Sequence, residues 1–285
     1  MNDTWIVGID GSPDACAALS WTTEFVAAVG SGAIVPVTAW HVPLPITALA
    51  GRRPIEVDRM GLQAEAELLV ASTVDEVDDP KAMIGPAEVV EGHPAPVLLG
   101  RSGPDSVVVV GRRGISDFKH RLLGSVSQYV ATHASGPVVV VPSTWSGRPC
   151  RTIVVGFDGS DHAIAALRWA LEVAPADAEV TALMAIDVIP WLRPELVEQR
   201  YPAEVAAAEE RIRAAIDDVD PEQKVRREVV LHGARQALTE ASGEADLVVV
   251  GPRGIGGVAR AVLGSVTTWL LHDAPCPVAV VPSPE

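Results

Sequence analysis

Short apolar runs recur along the chain, and the segments between them carry apolar residues at helical spacing. In the first half these runs are continuous and rich in Val and Ile, which is typical of strands buried on both faces of a parallel sheet. Pro36 interrupts the second run and indicates either a weak centre or an edge strand. The runs predict five strands, at residues 5–9, 33–42, 87–90, 107–110 and 137–141.

The segments between these runs predict helices. The first helix is expected to begin with Ser12 as its N-cap and Pro13 in its first turn, and to end at about Val29, before Gly30. Strands that alternate with helices in this way are typical of a parallel sheet with helices on both faces. Three further helices are predicted over residues 57–78, 94–100 and 125–135.

The same order of elements returns from Arg151 onward. Asp158 corresponds to Asp10 and Gly251 to Gly111, so the second half repeats the first with shortened loops. We therefore expect two tandem α/β domains, each doubly wound and Rossmann-like, with a five-stranded parallel sheet flanked by helices. The predicted domains cover residues 1–142 and 151–285, and residues 143–150 form the linker between them.

A glycine motif follows the fourth predicted strand of each copy. It reads Gly, two residues, Gly, nine residues, Gly-Ser, over residues 111–125 and again over 251–265, which we call the first and second glycine loops. Glycines leave backbone N–H groups uncovered, and Ser125 is placed to cap the helix that follows. Uncovered amides at a helix N-terminus bind anions. The alternative is that the motif forms only a glycine-rich turn and binds no ligand.

Asp10 ends the first predicted strand, and the first glycine loop follows the fourth, so both lie at the carboxyl ends of their strands. Ligands of open α/β sheets bind at the carboxyl ends of the strands, where the strand order reverses. If the first and fourth strands are neighbours, Asp10 and the loop face one crevice, and Asp158 and the second loop face another. The alternative is that both aspartates only form turns or cap helices.

Composition narrows the class of ligand. A chain of 285 residues with a formal net charge of −15 and a pI near 4.8 is expected to repel nucleic acids and anionic membranes. The first twelve residues have no basic region and no apolar stretch long enough for a signal peptide or a membrane span. Cys16, Cys150 and Cys276 are odd in number and widely spaced, which favours a reduced cytoplasm. Neither these cysteines nor the seven histidines have a metal-ligand spacing, so no metal site is predicted.

The Asp10 turn, the first glycine loop and a closing valine strand that ends at Pro142 resemble the ATP-binding class of universal stress proteins. The second half repeats all three features with Asp158, the second glycine loop and Pro282, so the resemblance covers the whole chain as a tandem pair. It implies the fold of the adenine nucleotide alpha hydrolase-like proteins. It also implies that the closing strands of the two halves pair with each other.

The resemblance implies one ATP molecule in each half and leaves open whether magnesium accompanies it. Asp10 and Asp158 would contact the nucleoside, since a carboxylate accepts hydrogen bonds from ribose hydroxyls or the adenine amine. Val42 and Val188 would lie against the base. The other implied nucleotide-binding residues are Gly8, Gly111, Arg112, Gly114, Gly124, Ser125 and Val126 in the first half, and Gly156, Gly251, Arg253, Gly254, Gly264, Ser265 and Val266 in the second. For the two valines that follow Ser125 and Ser265, a place in the helix core is an equal alternative.

Basic residues are distributed unequally between the two loops. The first loop carries Arg112, Arg113, Lys119, His120 and Arg121, whereas the second has only Arg253 and Arg260. On charge alone, the first site is expected to bind a triphosphate more firmly.

The function implied by the resemblance is a cytoplasmic, nucleotide-dependent regulatory protein of the stress response. It would form a homodimer and act on an unidentified protein partner. The chain lacks the G-x-x-x-x-G-K-[ST] phosphate loop, and we predict no catalytic residues. A slow ATPase or nucleotidyl-transferring enzyme on the same scaffold is the alternative. An interaction module that has lost its ligand is a third.

Overall fold

A computed structural model describes residues 4–42, 58–79, 83–115, 123–187, 202–220, 224–254 and 262–283. The described part of the first half contains five strands: β1 Thr4–Gly8, β2 Ala33–Trp40, β3 Glu88–Glu91, β4 Ser106–Gly111 and β5 Val138–Val141. Among the described residues of the second half there are five more: β6 Thr152–Gly156, β7 Glu179–Ala185, β8 Arg226–Val230, β9 Leu247–Val250 and β10 Val278–Val280.

Four helices lie in the described part of each half. In the first half they are α1 Pro13–Val29, α2 Arg59–Asp75, α3 Pro94–Leu99 and α4 Ser125–His133. In the second half they are α5 Asp161–Val173, α6 Pro202–Val219, α7 Ala234–Ser242 and α8 Ser265–Asp273. The strands and helices predicted for the first half are confirmed, with bounds that differ by three residues or fewer. Among the described residues, no helix is both long and apolar enough to span a bilayer.

All ten strands form one sheet, in the order β3-β2-β1-β4-β5-β10-β9-β6-β7-β8. Within each half the strands are parallel, and the order 3-2-1-4-5 is the doubly wound arrangement that the repeat predicted. Since β1 and β4 are neighbours, as are β6 and β9, the condition for one crevice in each half is met.

The two halves meet at an antiparallel pair of strands in the centre of the sheet. Val139 of β5 lies opposite Ala279 of β10, and both strands are buried along their described length. This confirms the expected pairing of the closing strands. The pairing also removes two sheet edges, because each half covers the open edge of the other.

Helices cover both faces of the sheet. Alternate valines of β4 point to opposite faces, with Val107 and Val109 in one apolar core and Val108 and Val110 in the other. Residues of α1, α2, α5 and α6 pack on the first face, and residues of α3, α4, α7 and α8 pack on the second. This arrangement confirms the predicted α/β fold.

Pro36 lies in an interior strand, so the prediction of an edge at this position is wrong. Ile34 donates to Met83 O at 3.0 Å and accepts from the Gly85 amide at 2.8 Å on the β3 side of β2. Because alternate residues of a parallel strand face the same neighbour, the nitrogen of Pro36 also faces that side. The β2–β3 ladder begins only at Val37, so the missing N–H of Pro36 removes no ladder hydrogen bond.

Candidate functional site

The first cavity opens at the carboxyl ends of β1 and β4 and has a volume of about 260 Å³. Glycine-loop backbone lines one side of it, and apolar side chains from β2, α3 and β4 line another. Seven of the predicted nucleotide-binding residues line this cavity, namely Gly8, Asp10, Gly111, Gly114, Gly124, Ser125 and Val126. The apolar part is formed by Val37, Ala39, Pro94, Leu98 and Val110.

Asp10 faces the first glycine loop across this cavity. Its Oδ1 accepts a hydrogen bond from the Ser12 amide at 3.0 Å, and its Oδ2 accepts one from the Ile115 amide at 3.2 Å. A Cβ added to Gly114 would lie 2.6 Å from Asp10 Oδ2. The loop can approach the carboxylate this closely because residue 114 has no side chain.

Ser125 does not cap α4, and that prediction is wrong by one residue. Gly124 is the N-cap, with no side-chain capping bond, and Ser125 is the first helical residue. Two hydrogen bonds to Arg112 O hold the loop instead. The Gly124 amide donates one at 2.9 Å, and the hydroxyl of the buried Ser127 donates the other, also at 2.9 Å. Ser125 itself is exposed and lines the cavity at the N-terminus of the helix.

Arg112 does not line the cavity. Its side chain is 6% exposed, and its guanidinium donates to Ala274 O at the end of α8 in the other half. Burial lowers the pKa of Arg112, and the positive charge of the nearby Arg113 lowers it further. Sequence reasoning could not separate these adjacent arginines, because only the strand pairing shows which of them faces the second half.

Arg113 lines the first cavity in place of Arg112. Its backbone amide donates to Asp14 Oδ2 at 3.2 Å, and its Nε lies 4.0 Å from the same oxygen. Asp14 is buried behind the loop, where a Cβ on Gly111 would approach the Asp14 carbonyl carbon to 2.6 Å. A second carboxylate thus lies behind the first glycine loop, although it does not line the cavity, and no motif in the sequence indicates it.

The second cavity lies at the equivalent edge of β6 and β9 and is larger, at about 440 Å³. Its predicted lining residues are Gly156, Asp158, Gly251, Arg253, Gly254, Gly264, Ser265 and Val266. Its apolar part is formed by Leu183, Ala185, Leu238 and Val250, which occupy the same places as Val37, Ala39, Leu98 and Val110 in the first cavity.

Asp158 repeats the position of Asp10. Its Oδ1 accepts from the Ser160 amide at 2.9 Å, and a Cβ added to Gly254 would collide with its Oδ2. The Gly264 amide donates to Pro252 O at 2.8 Å, as Gly124 donates to Arg112 O, and Thr267, at the position of Ser127, donates its hydroxyl to Gly251 O at 2.8 Å. The two cavities therefore share the same backbone design.

The two cavities differ at one position in the first turn of α1 and α5. His162 stands where Asp14 stands, directly behind the glycine loop, since a Cβ on Gly251 would lie 2.6 Å from His162 Cβ. The Nδ1 of His162 accepts a hydrogen bond from the Ser283 amide at 3.0 Å. Burial, and then the Arg253 guanidinium, lowers the pKa of His162 below its usual 6.5, so the ring is neutral at neutral pH.

Some sequence-predicted residues are not brought into the cavities. Val42 is described and half-buried, but it is not among the residues that line the first cavity. The structure does not describe five further predicted residues, namely Val188, Lys119, His120, Arg121 and Arg260.

The apolar lining that β2, β7, α3 and α7 contribute to the cavities was not predicted from the sequence. The signal that could have found it is the position of Ala39 and Ala185 at the carboxyl ends of their strands.

Comparison with known proteins supports the repeat. The chain matches the model of the universal stress protein family over residues 1–142 and 149–282. It is 31% identical to a universal stress protein of Mycolicibacterium smegmatis, over 97% of this chain and 96% of that protein. It is also 31% identical to one of Mycobacterium tuberculosis, over 96% and 95% of the two chains. A universal stress protein structure from Archaeoglobus fulgidus has the same fold, with a TM-score of 0.71, 20% identity and 99% coverage of both chains.

Proposed function

The chain belongs to the universal stress protein family, and from this membership we propose that each half binds one ATP molecule and that occupancy regulates the protein. The observation that carries the proposal is the pairing of a carboxylate with a glycine loop across a cavity, Asp10 with Gly114 and Asp158 with Gly254. This pairing occurs twice, at the sheet edge where α/β proteins bind ligands.

Each part of the nucleotide has a suitable surface in this arrangement. The base would lie on the apolar lining near Ala39 in the first half and Ala185 in the second, since nucleotide pockets are mostly apolar with few polar groups. Remaining lone pairs of Asp10 and Asp158 would accept hydrogen bonds from the nucleoside. The phosphates would lie over the glycine loop at the N-terminus of α4 or α8, where the helix dipole favours negative charge.

In this proposal the two cavities bind the nucleotide and do not catalyse its hydrolysis. Asp10 and Asp158 are the carboxylates that line them in the described part of the chain, and each accepts a hydrogen bond from a backbone amide two residues on. A magnesium ion would thus be held mainly by the phosphates, and its contribution would be to neutralise their charge. A turnover of ATP near 1 per second, which is ordinary for an enzyme, would instead favour the ATPase alternative.

Bound ATP would change the stability of the folded protein and its contacts with a second copy or a protein partner. A ligand that binds only the folded state stabilises it by mass action, and two sites would add their effects. We place this regulation in the cytoplasm, in a homodimer that contacts a protein partner, as the family resemblance implies. Size-exclusion chromatography with light scattering, with and without ATP, measures the proposed dimer directly.

Calorimetric titration of the purified protein with ATP tests the proposed function, together with mass spectrometry of small molecules released on denaturation. We expect binding in the wild type and its loss in an Asp10→Ala, Asp158→Ala double variant. The matched control is Asp58→Ala with Asp218→Ala, which removes two negative charges from residues that line neither cavity. The proposal is wrong if no adenine nucleotide is released and the wild type gives no heat with ATP.

A further inference from the structure

We infer that the two cavities take different adenine nucleotides, the second a nucleoside triphosphate and the first a nucleoside monophosphate. This inference rests on the proposed function, because it assumes that both cavities bind an adenine nucleotide. It reverses the order expected from the number of basic residues in the two glycine loops.

The first step concerns the residue behind each glycine loop. In the first half this residue is Asp14, whose carboxylate is buried and accepts a hydrogen bond from the Arg113 amide at 3.2 Å. In the second half it is His162, which carries no negative charge and accepts from the Ser283 amide instead. A phosphate above the loop therefore meets an additional negative charge in the first cavity and none at this position in the second.

The second step concerns the arginines. The Arg113 guanidinium lies 4.0 Å from Asp14, and Arg112 is turned into the junction between the halves. The described residues around the first loop thus combine two carboxylates, Asp10 and Asp14, with one arginine that lines the cavity. Around the second loop, Asp158 lines the cavity together with Arg253, and the other nearby carboxylate, Asp161, is exposed, so water and salt screen its charge more than that of the buried Asp14. The second cavity is the more favourable of the two for a highly charged phosphate chain.

The third step is size. The second cavity measures about 440 Å³ and the first about 260 Å³. Small-molecule sites commonly have volumes of about 300 to 1,000 Å³, so the second falls in this range and the first below it. Both cavities have an equivalent apolar lining for a base, and the smaller one has less room for a chain of three phosphates.

Two matched variants separate the cavities in the full-length protein. Ala39 and Ala185 occupy equivalent positions, on β2 and β7, and each lines one cavity. Ala39→Trp fills the first cavity and Ala185→Trp fills the second. Each variant is titrated calorimetrically with ATP and with AMP, after circular dichroism has shown that it is folded.

Because tryptophan occupies the space of the ligand, we expect Ala185→Trp to weaken ATP binding by about tenfold or more and to leave AMP binding unchanged. Ala39→Trp is expected to weaken AMP binding and to leave ATP binding unchanged. A reciprocal exchange of charges tests the cause without filling a cavity. His162→Asp is expected to weaken ATP binding about tenfold and to change AMP binding at the first cavity less than about twofold. Asp14→His, made in the Ala185→Trp protein, is expected to strengthen the residual binding of ATP.

Equal ATP affinities in the two tryptophan variants would overturn the inference and leave the proposed function intact. Loss of ATP binding in Ala39→Trp alone would also overturn it and restore the order expected from the basic residues. If a tryptophan variant does not fold, the His162→Asp variant tests the inference. An unchanged ATP affinity of His162→Asp would contradict it, because the charge at position 162 would then have no effect on ATP binding. Absence of both ATP and AMP binding in the wild type would overturn the proposed function and the inference together.

Discussion

The Asp10 carboxylate accepts a hydrogen bond from the Ile115 amide at 3.2 Å, across a separation of 105 residues. This contact joins the end of β1 to the first glycine loop, and Gly114 allows it by having no Cβ. The end of β1 and the loop therefore form one hydrogen-bonded unit, although they are distant in the sequence.

Asp10→Ala removes the acceptor for the Ile115 amide and also for the Ser12 amide. We expect hydrogen exchange at both amides to accelerate about tenfold, since one lost hydrogen bond is equivalent to about 1 kcal/mol. Asp58→Ala, which removes the cap of α2 at the Gly61 amide, is the control and should leave exchange at Ile115 unchanged. Unchanged exchange at Ile115 in Asp10→Ala would show that the contact does not hold the loop.

Gly111→Ala is expected to destabilise the protein by about 2 to 3 kcal/mol. The new Cβ would lie 2.6 Å from the Asp14 carbonyl carbon and 2.8 Å from the Ala15 nitrogen, and backbone atoms at the start of α1 cannot move aside cheaply. Gly103→Ala is the matched control, since its Cβ would meet only Ser106 Oγ at 3.8 Å. Urea unfolding measures both, and equal stabilities would contradict the close approach of α1 to β4.

Arg112→Ala is expected to cost about 2 to 4 kcal/mol, because the buried guanidinium fills the junction between the halves and bonds Ala274 O. Arg112→Met, which keeps much of the volume, should cost less. Arg151→Ala removes an exposed arginine that lies 3.7 Å from Asp177 and should cost less than about 0.5 kcal/mol. The ATP affinity of the Arg112 variants should stay within about twofold of that of the wild type. A larger loss would show that Arg112 contributes to ATP binding.

The thiols of Cys150 and Cys276 should not react with Ellman's reagent in the native protein at pH 8. Burial raises the pKa of each to about 12, so almost no thiolate is present, and the reagent cannot reach either sulfur. Cys16 is half-buried, and burial, with Glu76 and Asp10 nearby, raises its pKa too, so it should react slowly. Denaturation should expose all three thiols, and Cys16→Ser should abolish the native reaction. Rapid reaction of two or more native thiols would contradict this packing.

His162 should make stability fall as the pH is lowered below about 6.5. Its pKa in the folded protein is lowered, first by burial and then by Arg253, with smaller opposing effects of Asp161 and Asp158. The unfolded chain therefore binds the proton more readily than the folded one, so stability present above the unfolded pKa is lost as the pH falls. His162→Gln, whose amide oxygen can accept from the Ser283 amide, should lose less stability between pH 7.5 and 5.5 in urea unfolding. An equal loss in both proteins would rule out His162 as a cause.

The apolar runs of Val and Ile by themselves determined the fold class. A strand such as Val107–Val110 must be buried on both faces, and alternation with helices leaves few topologies for a parallel sheet. The repeat of Asp10 at Asp158 and of Gly111 at Gly251 likewise placed two equivalent sites at strand ends. Strand propensity, turn chemistry and the spacing within each glycine motif are properties of neighbouring residues, and the repeat is visible when the two halves of the sequence are compared.

Tertiary structure alone decided which side chains meet. It turned Arg112 into the junction and left Arg113 at the cavity, and it placed Asp14 behind one loop and His162 behind the other. It also made Gly124 the cap of α4 and left Ser125 beside the cavity. The positions of the two arginines, Asp14 and His162 depend on the packing of α1 against β4 and of one half against the other. The hydrogen bonds of Arg112, Arg113 and His162 join residues 99 to 162 positions apart, and no local pattern in the sequence encodes them.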